Sequence, residues 1–206
     1  MYHILSIDIG INNLALVLSQ INDDWTISKI VDAKLINITD MKHERVDIID
    51  CNLHHEKTHT DWLEHVFQEE HELFSKANYI LIERQPPQGF VCIEQLIFSK
   101  FRKKAKLIHP SSFSSFITWR KNLDYDERKI ESIKFAETLL KRLNTPEILD
   151  TFTRKHDVAD AICMMSYWIY VQREEWKTQQ RKERYETVKM SSTLNQWFEQ
   201  YKYTNK

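Results

Sequence analysis

Glycine is almost missing from this chain: only two occur among 206 residues, Gly10 and Gly89. Glycine is needed where the backbone takes a positive φ or passes close to another group. Both lie beside acidic residues, Gly10 just after Asp8 and Gly89 shortly after Glu83. The scarcity excludes sites built from several glycine-rich phosphate loops. The shared placement favours a functional role for both segments.

Three other quantities are small, and each excludes a class of protein. The three cysteines, Cys51, Cys92 and Cys163, form no CxxC pair, which indicates a reducing compartment inside a cell. The net charge is −1, so a nucleic-acid partner requires a local basic patch. No apolar run approaches the roughly 18 residues of a membrane span. We therefore expect a soluble, intracellular protein with no membrane partner.

The composition predicts one folded domain. A chain of 206 residues that is 42% hydrophobic and has six tryptophans can bury a sizeable core. We expect residues 1–170 to form this domain and residues 171–206 to form a charged helical extension of it. Alternating charges in the extension are typical of a solvated helix or of a partner contact.

The order of elements follows from hydrophobic periodicity. Apolar runs at 3–19 and 25–38 predict an antiparallel meander of three strands. Apolar residues at helical spacing between 60 and 77 precede a strand at 79–83, which predicts a parallel β-α-β connection. The later elements are a helix at 89–104, a strand at 106–109, a connector or short helix at 111–122, a helix at 125–143, a short helix at 146–153 and a long helix from 156. This alternation is the order of the ribonuclease-H-like fold.

Four acidic residues stand in apolar surroundings. Asp8 interrupts the first strand, Glu83 ends the strand 79–83, and Asp157 and Asp160 lie three residues apart at the start of the long helix. A buried carboxylate is unstable unless it is paired or bound to a metal. Hard oxygen ligands suit Mg²⁺ or Mn²⁺. The four residues therefore predict one converging cation site.

Such a site has a chemical use. Two divalent ions about 4 Å apart can lower the pKa of a water molecule and stabilise the leaving oxygen of a phosphodiester. We expect Asp8 to bridge the ions and Glu83 to approach from one side, while Asp157 and Asp160 share a helix face. Taken alone, Asp157 is also explained as a favourable acid at a helix N-terminus, and Glu83 as a partner of Arg84.

The motifs that carry these residues resemble those of the RuvC-like Holliday junction resolvases. They are most similar to the branch of poxviruses and other large DNA viruses, which is related to the fungal mitochondrial enzymes. The resemblance covers about residues 3–170. The matching segments are Asp8-Ile9-Gly10 with Asn13-Leu14-Ala15, Ile82-Glu83-Arg84-Gln85-Pro86, and Lys155-His156-Asp157-Val158-Ala159-Asp160-Ala161.

The resemblance implies a fold, a reaction and its participants. The fold is an α/β, ribonuclease-H-like mixed sheet flanked by helices. The reaction is paired, symmetric cutting of a four-way DNA junction by a Mg²⁺-dependent homodimer during viral recombination and replication, with Mn²⁺ as a possible substitute. The catalytic metal ligands are Asp8, Glu83, Asp157 and Asp160. A poxvirus-type member acts in the cytoplasm.

Further residues are candidates for binding DNA. The basic cluster is Lys100, Arg102, Lys103, Lys104 and Lys106, which we expect to neutralise phosphates. The same cluster is also typical of a solvated helix end.

Single side chains near the acidic motifs add to this set. Phe90 can stack on an unpaired base, although an isolated aromatic residue is more often part of a core. Lys129 and Lys155 can each reach a scissile phosphate. We favour Lys155 as catalytic, because it directly precedes the Asp157 motif.

Other functions compete with this interpretation. A nuclease for RNA–DNA hybrids shares the carboxylates, and a non-catalytic junction-binding protein shares the fold. An actin-like or sugar-kinase ATPase also begins with an acidic-x-Gly strand, but it needs glycines that this chain lacks. Cys51, His54, His55 and His59 are spaced faintly like a zinc site, which the lack of a second cysteine pair disfavours.

Overall fold

The computed structural model describes residues 1–39, 58–117 and 123–204. Five strands form one mixed sheet in the order β3-β2-β1-β4-β5. The first three strands are antiparallel neighbours, and β1, β4 and β5 run parallel. The strands are β1 Tyr2–Asp8, β2 Leu14–Ile21, β3 Ile27–Ile36, β4 Tyr79–Glu83 and β5 Ala105–Ile108. The mixed sheet, the meander and the parallel β-α-β connection are confirmed.

Helices cover both faces of the sheet. They are α1 His59–Glu69, α2 His71–Lys76, α3 Val91–Lys100, α4 Pro110–Ile117, α5 Tyr125–Arg142 and α6 Lys155–Thr204, with a 3₁₀ helix at Pro146–Thr151. The helix predicted at 60–77 is divided in two at Glu70. The Glu70 side chain is buried and accepts a hydrogen bond from Lys34 Nζ of β3 at 2.6 Å. This link to the sheet accompanies the break between α1 and α2.

Side chains of the sheet alternate between two cores. Ile4, Val17 and Leu81 point to the face covered by α5 and α6, where they join one apolar cluster. Their neighbours Leu5 and Ile80 join the second cluster, which includes residues of α1, α2 and α3. Because successive strand residues point to opposite faces, a central strand covered on both sides is apolar throughout. A carboxylate at the end of β1 is therefore held at the rim of a fully packed sheet.

The start of α6 is fixed directly onto β1. Val158, Ala159 and Ala161 have no exposed surface. Ser6 Oγ donates a hydrogen bond to the Ala161 carbonyl oxygen at 2.8 Å, across 155 positions of sequence. Since Ser6 lies two residues before Asp8 and Ala161 one residue after Asp160, this bond brings the two acidic motifs to the same end of the sheet.

Burial changes along α6. Burial in this helix ends at Ile169, and the described side chains from Tyr170 onward are exposed or half-buried. A helix of 50 residues is about 75 Å long. Among the helices of the described ranges, none has the length and apolar character that crossing a membrane requires.

Ala159 tests how closely α6 approaches the sheet. We expect Ala159→Leu to lower the free energy of unfolding by about 1–3 kcal/mol, because added methylene groups in a filled core force side chains and backbone to shift. Urea unfolding measures the change. Thr178→Leu, at an exposed position of the same helix, is the matched control and should stay within about 0.5 kcal/mol of the wild type. Equal stability of both variants would contradict the packing described.

Candidate active site

Two carboxylates meet where parallel strands end. Asp8 is the last residue of β1 and Glu83 the last of β4, and the pairing of Ile7 with Ile82 places them side by side. Their side chains share a hydrogen bond. Burial, followed by the charge of Glu83, holds the pKa of Asp8 well above its usual range. Burial likewise raises the pKa of Glu83. Each carboxyl group of this pair therefore binds a proton more tightly than an isolated carboxyl group does.

The first turns of α6 bring the other two carboxylates. The charges of Asp157 and Asp160 both act on Asp8 and raise its pKa further. Burial raises the pKa of Asp160 to about 6, and a hydrogen bond with Ser132 opposes that shift. All four predicted carboxylates are half-buried. The structure thus collects them at one end of the sheet.

Asp157 differs from the other three because it forms an ion pair with an arginine. Arg154 Nε donates to its Oδ2 at 2.9 Å, and His156 Nε2 lies 3.1 Å from its Oδ1. Burial lowers the pKa of His156. Arg154 also lies 3.2 Å from the side-chain oxygen of Asn13, once that amide is oriented to satisfy its hydrogen bonds. Arg154 therefore connects the β1–β2 loop to the start of α6.

The donor set is suited to a hard divalent cation. As the side chains stand, no three His, Cys, Asp or Glu residues of the described ranges form a group ready to hold a metal. Their oxygens contact protein groups instead, such as the Asp8–Glu83 pair and the Arg154–Asp157 ion pair. A bound cation offsets the same excess of negative charge that raises the pKa of Asp8. Carboxylate oxygens are also the ligands that Mg²⁺ and Mn²⁺ prefer.

The two candidate lysines are separated by the structure. Lys155 Nζ lies 2.5 Å from Asp150 Oδ1, and this hydrogen bond raises the pKa of Lys155. Lys129 on α5 instead acts on the acidic site, since its charge lowers the pKa of Asp160 and of His156. Lys129, and not the favoured Lys155, is therefore the lysine whose charge reaches these carboxylates.

Both glycines allow a close approach. Neither takes a positive φ. A Cβ on Gly10 would lie 2.7 Å from the Asn13 carbonyl oxygen, in the loop between β1 and β2. A Cβ on Gly89 would lie 2.9 Å from Gln85 Oε1. Glycine is therefore required at both positions because the backbone passes close to another group, and not because it takes a positive φ.

The basic cluster lies at the other end of the sheet. The Lys104 carbonyl oxygen accepts from Ile80 N near the start of β4, about 10 Å along the strand from Glu83. Lys104 Nζ donates to the carbonyl oxygens of Phe74 and Ala77, at 2.7 and 2.9 Å, and so closes the end of α2. Burial lowers the pKa of Lys104. The structure does not bring this lysine to the carboxylates.

The other members of the cluster differ in their surroundings. Lys100 pairs with Glu64 at 2.6 Å, and the Arg102 guanidinium lies 5.1 Å from the centre of the Phe98 ring. Lys103 and Lys106 are exposed. Lys100 and Arg102 are exposed as well, but their charged groups lie against Glu64 and Phe98.

The remaining candidates are Phe90 and the zinc-like cluster. Phe90 is 38% exposed at the N-cap of α3, in the loop that follows Glu83. It is the predicted DNA-contacting residue that lies near the carboxylates. His59 is exposed at the start of α1. Cys51, His54 and His55 lie outside the described residues.

Several residues of the site gave no signal in the sequence. Arg154, Ser132 and Gln85 each contact a carboxylate, and Glu94 is buried behind Gln85. Gln85 and Arg154 stand beside the acidic motifs, so proximity to a motif was the available clue. Ser132 is 28 positions before Asp160, and only the packing of α5 on α6 joins them.

Comparison with known proteins agrees with this architecture. Residues 2–173 match the family described as Poxvirus A22 protein. No curated protein sequence matches the chain.

Solved structures with the same fold belong to resolvases. The fowlpox virus resolvase, in complex with Holliday junction DNA, is 19% identical over 82% of this chain and 98% of its own, with a TM-score of 0.60. The yeast mitochondrial Holliday junction resolvase Ydc2 is 17% identical over 87% of this chain and 85% of its own, with a TM-score of 0.61. T. thermophilus RuvC, in complex with its junction substrate, is 11% identical over 85% of this chain and 97% of its own, with a TM-score of 0.53.

The raised pKa of Asp160 has a consequence for stability. Its folded-state pKa of about 6 exceeds the ordinary value of 3.8, so the folded state binds more protons between these values. Stability of the metal-free protein therefore falls as pH rises from about 4 to 6. We expect Asp160→Asn, which cannot ionise, to be more stable than wild type at pH 7.5 by about 1–3 kcal/mol. The difference should vanish near pH 4.

Urea unfolding in EDTA across this pH range measures the effect. Glu186→Gln removes an exposed carboxylate from α6, and as the control it should follow the wild-type curve. An Asp160→Asn protein no more stable than wild type at pH 7.5 would refute the desolvation of this carboxylate.

Proposed function

This chain belongs to the Poxvirus A22 protein family, and from that premise we propose that it is a metal-dependent endonuclease that resolves four-way DNA junctions. It hydrolyses one phosphodiester in each of two opposing strands during viral recombination and replication. The observation that carries the proposal is the hydrogen-bonded pair Asp8 and Glu83, with Asp157 and Asp160 near enough for their charges to act on Asp8. The fold shared with the fowlpox resolvase and with RuvC, both of which have structures in complex with junction DNA, supports it.

The four carboxylates hold Mg²⁺, for which Mn²⁺ can substitute. Such an ion lowers the pKa of bound water and offsets the negative charge that develops on a phosphodiester. Asp8, on the central strand, would hold the metal together with Glu83, Asp157 and Asp160. Their combined charge repels DNA until cations compensate it, which is why a metal requirement follows from the arrangement.

Cationic side chains at the rim assist the same reaction. Arg154 holds the Asp157 carboxylate in place, because it forms a direct ion pair with it. Lys129 is the lysine assigned to the scissile phosphate, since its charge acts on Asp160 while Lys155 is paired with Asp150. Both roles use charges that the chain already places beside the carboxylates.

Symmetric cutting requires two active sites. A four-way junction has two-fold symmetry, and a C2 dimer presents two identical sites to its opposing strands. We assign the chain to a homodimer on this ground. Exposed Phe90 stacks on a base near the junction centre, and Lys103 and Lys106 contact phosphates farther along an arm. The protein acts in the cytoplasm of the infected cell.

A direct assay tests the activity. We expect the purified protein to cut a synthetic four-way junction in the presence of Mg²⁺ or Mn²⁺, at symmetric positions, and to leave a linear duplex and an RNA–DNA hybrid intact. Asp8→Asn should reduce the cleavage rate by roughly 10³-fold. Loss of a metal ligand raises the activation free energy, and each increase of about 1.4 kcal/mol slows the reaction tenfold. Its junction affinity in EDTA should stay close to that of wild type. Denaturing gels and electrophoretic mobility shifts measure the two properties.

The outcomes of this assay separate the competing functions. Glu186→Gln is the control and should cut at the wild-type rate. Preferential cutting of the hybrid would identify a hybrid nuclease. Junction binding without cutting in either metal would identify a non-catalytic binding protein. Either result overturns the proposal, as does an active Asp8→Asn protein.

Salt dependence distinguishes the lysines of the basic cluster. We expect Lys103→Ala and Lys106→Ala each to reduce the slope of log affinity against log salt by about one, because each removes a phosphate contact. Lys104→Met should leave the slope unchanged and lower stability instead, since Lys104 holds the end of α2. Fluorescence anisotropy over a salt series measures this. Unchanged slopes for the two exposed lysines would place the DNA on another surface.

A further inference from the structure

Gln85 uses both ends of its side-chain amide beside the acidic site. Its Nε2 donates to Glu83 Oε2 at 2.9 Å, and its Oε1 accepts from the Phe90 backbone N–H at 3.4 Å. The first bond fixes one oxygen of Glu83. The second fixes the point at which the loop enters α3. One side chain therefore links a predicted metal ligand to the predicted DNA-stacking residue.

The backbone of Gln85 is held from behind by a buried carboxylate. The Gln85 N–H donates to Glu94 Oε2 at 2.6 Å, and Glu94 is only 3% exposed on the first turn of α3. Its other oxygen accepts from Gln95 Nε2 at 2.6 Å. A carboxylate is stable in such a place only when its oxygens are hydrogen-bonded, and charge-assisted bonds are the strong ones. Gln85 is thus anchored at its backbone and at its side chain.

Gly89 leaves the space that this glutamine occupies. The Gly89 N–H closes a tight turn on the Pro86 carbonyl oxygen at 2.8 Å. A Cβ here would lie 2.9 Å from both Gln85 Oε1 and Pro86 Cδ. Any larger residue must displace the amide of Gln85 or the proline ring. The second of the two glycines in the chain is therefore explained by the position of Gln85.

The same loop borders an open cleft. A cavity of about 960 Å³ lies between the chain segments that follow β4 and β5, and its lining includes Arg84, Gln85, Glu94 and His109. Glu83 stands at the end of the strand that leads into this lining. The loop that carries Gln85 therefore forms part of the wall of this cleft.

We infer that Gln85 is a positioning residue for Glu83, held in place by Glu94 and by the absence of a side chain at Gly89. The inference rests on the proposed function, because it assigns Glu83 to a metal centre. An amide is required, since Gln85 donates at one end and accepts at the other. A partner that orients a metal ligand in this way typically contributes 10–100-fold to metal affinity or activity.

A metal titration without DNA tests the inference. We expect Gln85→Ala and Gln85→Glu to raise the Mg²⁺ concentration that half-saturates the thermal shift by about 10-fold. Gly89→Ala should act in the same direction, although it removes no polar group. Gln88→Ala, at an exposed glutamine of the same loop, is the matched control and should titrate like wild type. Circular dichroism establishes that each variant is folded.

Variants of Glu94 and measurements of cleavage kinetics provide a second test of the inference. Glu94→Gln retains an acceptor for the Gln85 N–H and should stay within about threefold of wild type, whereas Glu94→Leu should resemble Gln85→Ala. With junction DNA at subsaturating Mg²⁺, the Gln85 variants should lower kcat and leave KM unchanged. Excess Mg²⁺ should restore most of the rate.

Two results overturn the inference, and they are distinguishable. If wild type cuts junctions with Mg²⁺ and Gln85→Ala has the same metal dependence, the positioning role is wrong and the proposed function stands. If wild type shows neither a thermal shift with Mg²⁺ nor cutting, the metal centre and the role of Gln85 fall together.

Discussion

The excess of negative charge at the end of the central strand is the constraint on which the rest of this structure depends. Asp8 and Glu83 are carried there by neighbouring parallel strands, and they share a hydrogen bond that a fully ionised pair cannot form. Burial penalises their charged forms. Asp157 and Asp160 add to the same field. The surrounding groups can be understood as the means by which the chain tolerates this charge.

The side chains that contact these carboxylates come from different parts of the fold. Arg154 precedes α6 and pairs with Asp157, Ser132 of α5 shares a hydrogen bond with Asp160, and Gln85 donates to Glu83. Ser6 connects β1 to α6 without touching a carboxylate. A site of this kind is assembled at the cost of stability, because the same carboxylates that favour a cation destabilise the metal-free protein.

Much of the fold could be predicted from local sequence. Strand 79–83 and the helix at 125–143 were predicted nearly to the residue, since apolar periodicity and the Asp124 cap define them. The division of the helix at Glu70 could not be predicted, because its partner Lys34 is 36 positions away. The convergence of the four carboxylates was also predictable, since each stands out against apolar neighbours. Their partners were not, because an isolated Ser132 or Arg154 is indistinguishable from a surface residue.

For the basic residues too, the sequence predicts their presence but not their position in the fold. A run of cations at 100–106 is visible in the sequence, but its position at the far end of β4 depends on strand direction and register. The choice between Lys129 and Lys155 likewise depends on which neighbour each side chain meets.

The sequence by itself determined the element types, the strand order of the meander, and which acidic residues are anomalous. Those properties depend on near neighbours and on burial. Only the tertiary structure decided which cations and amides face the carboxylates. It also decided that the Gln85 side chain occupies the space that a Cβ at position 89 would need. Such contacts join residues that chain proximity does not relate, and they form only when strands and helices have packed.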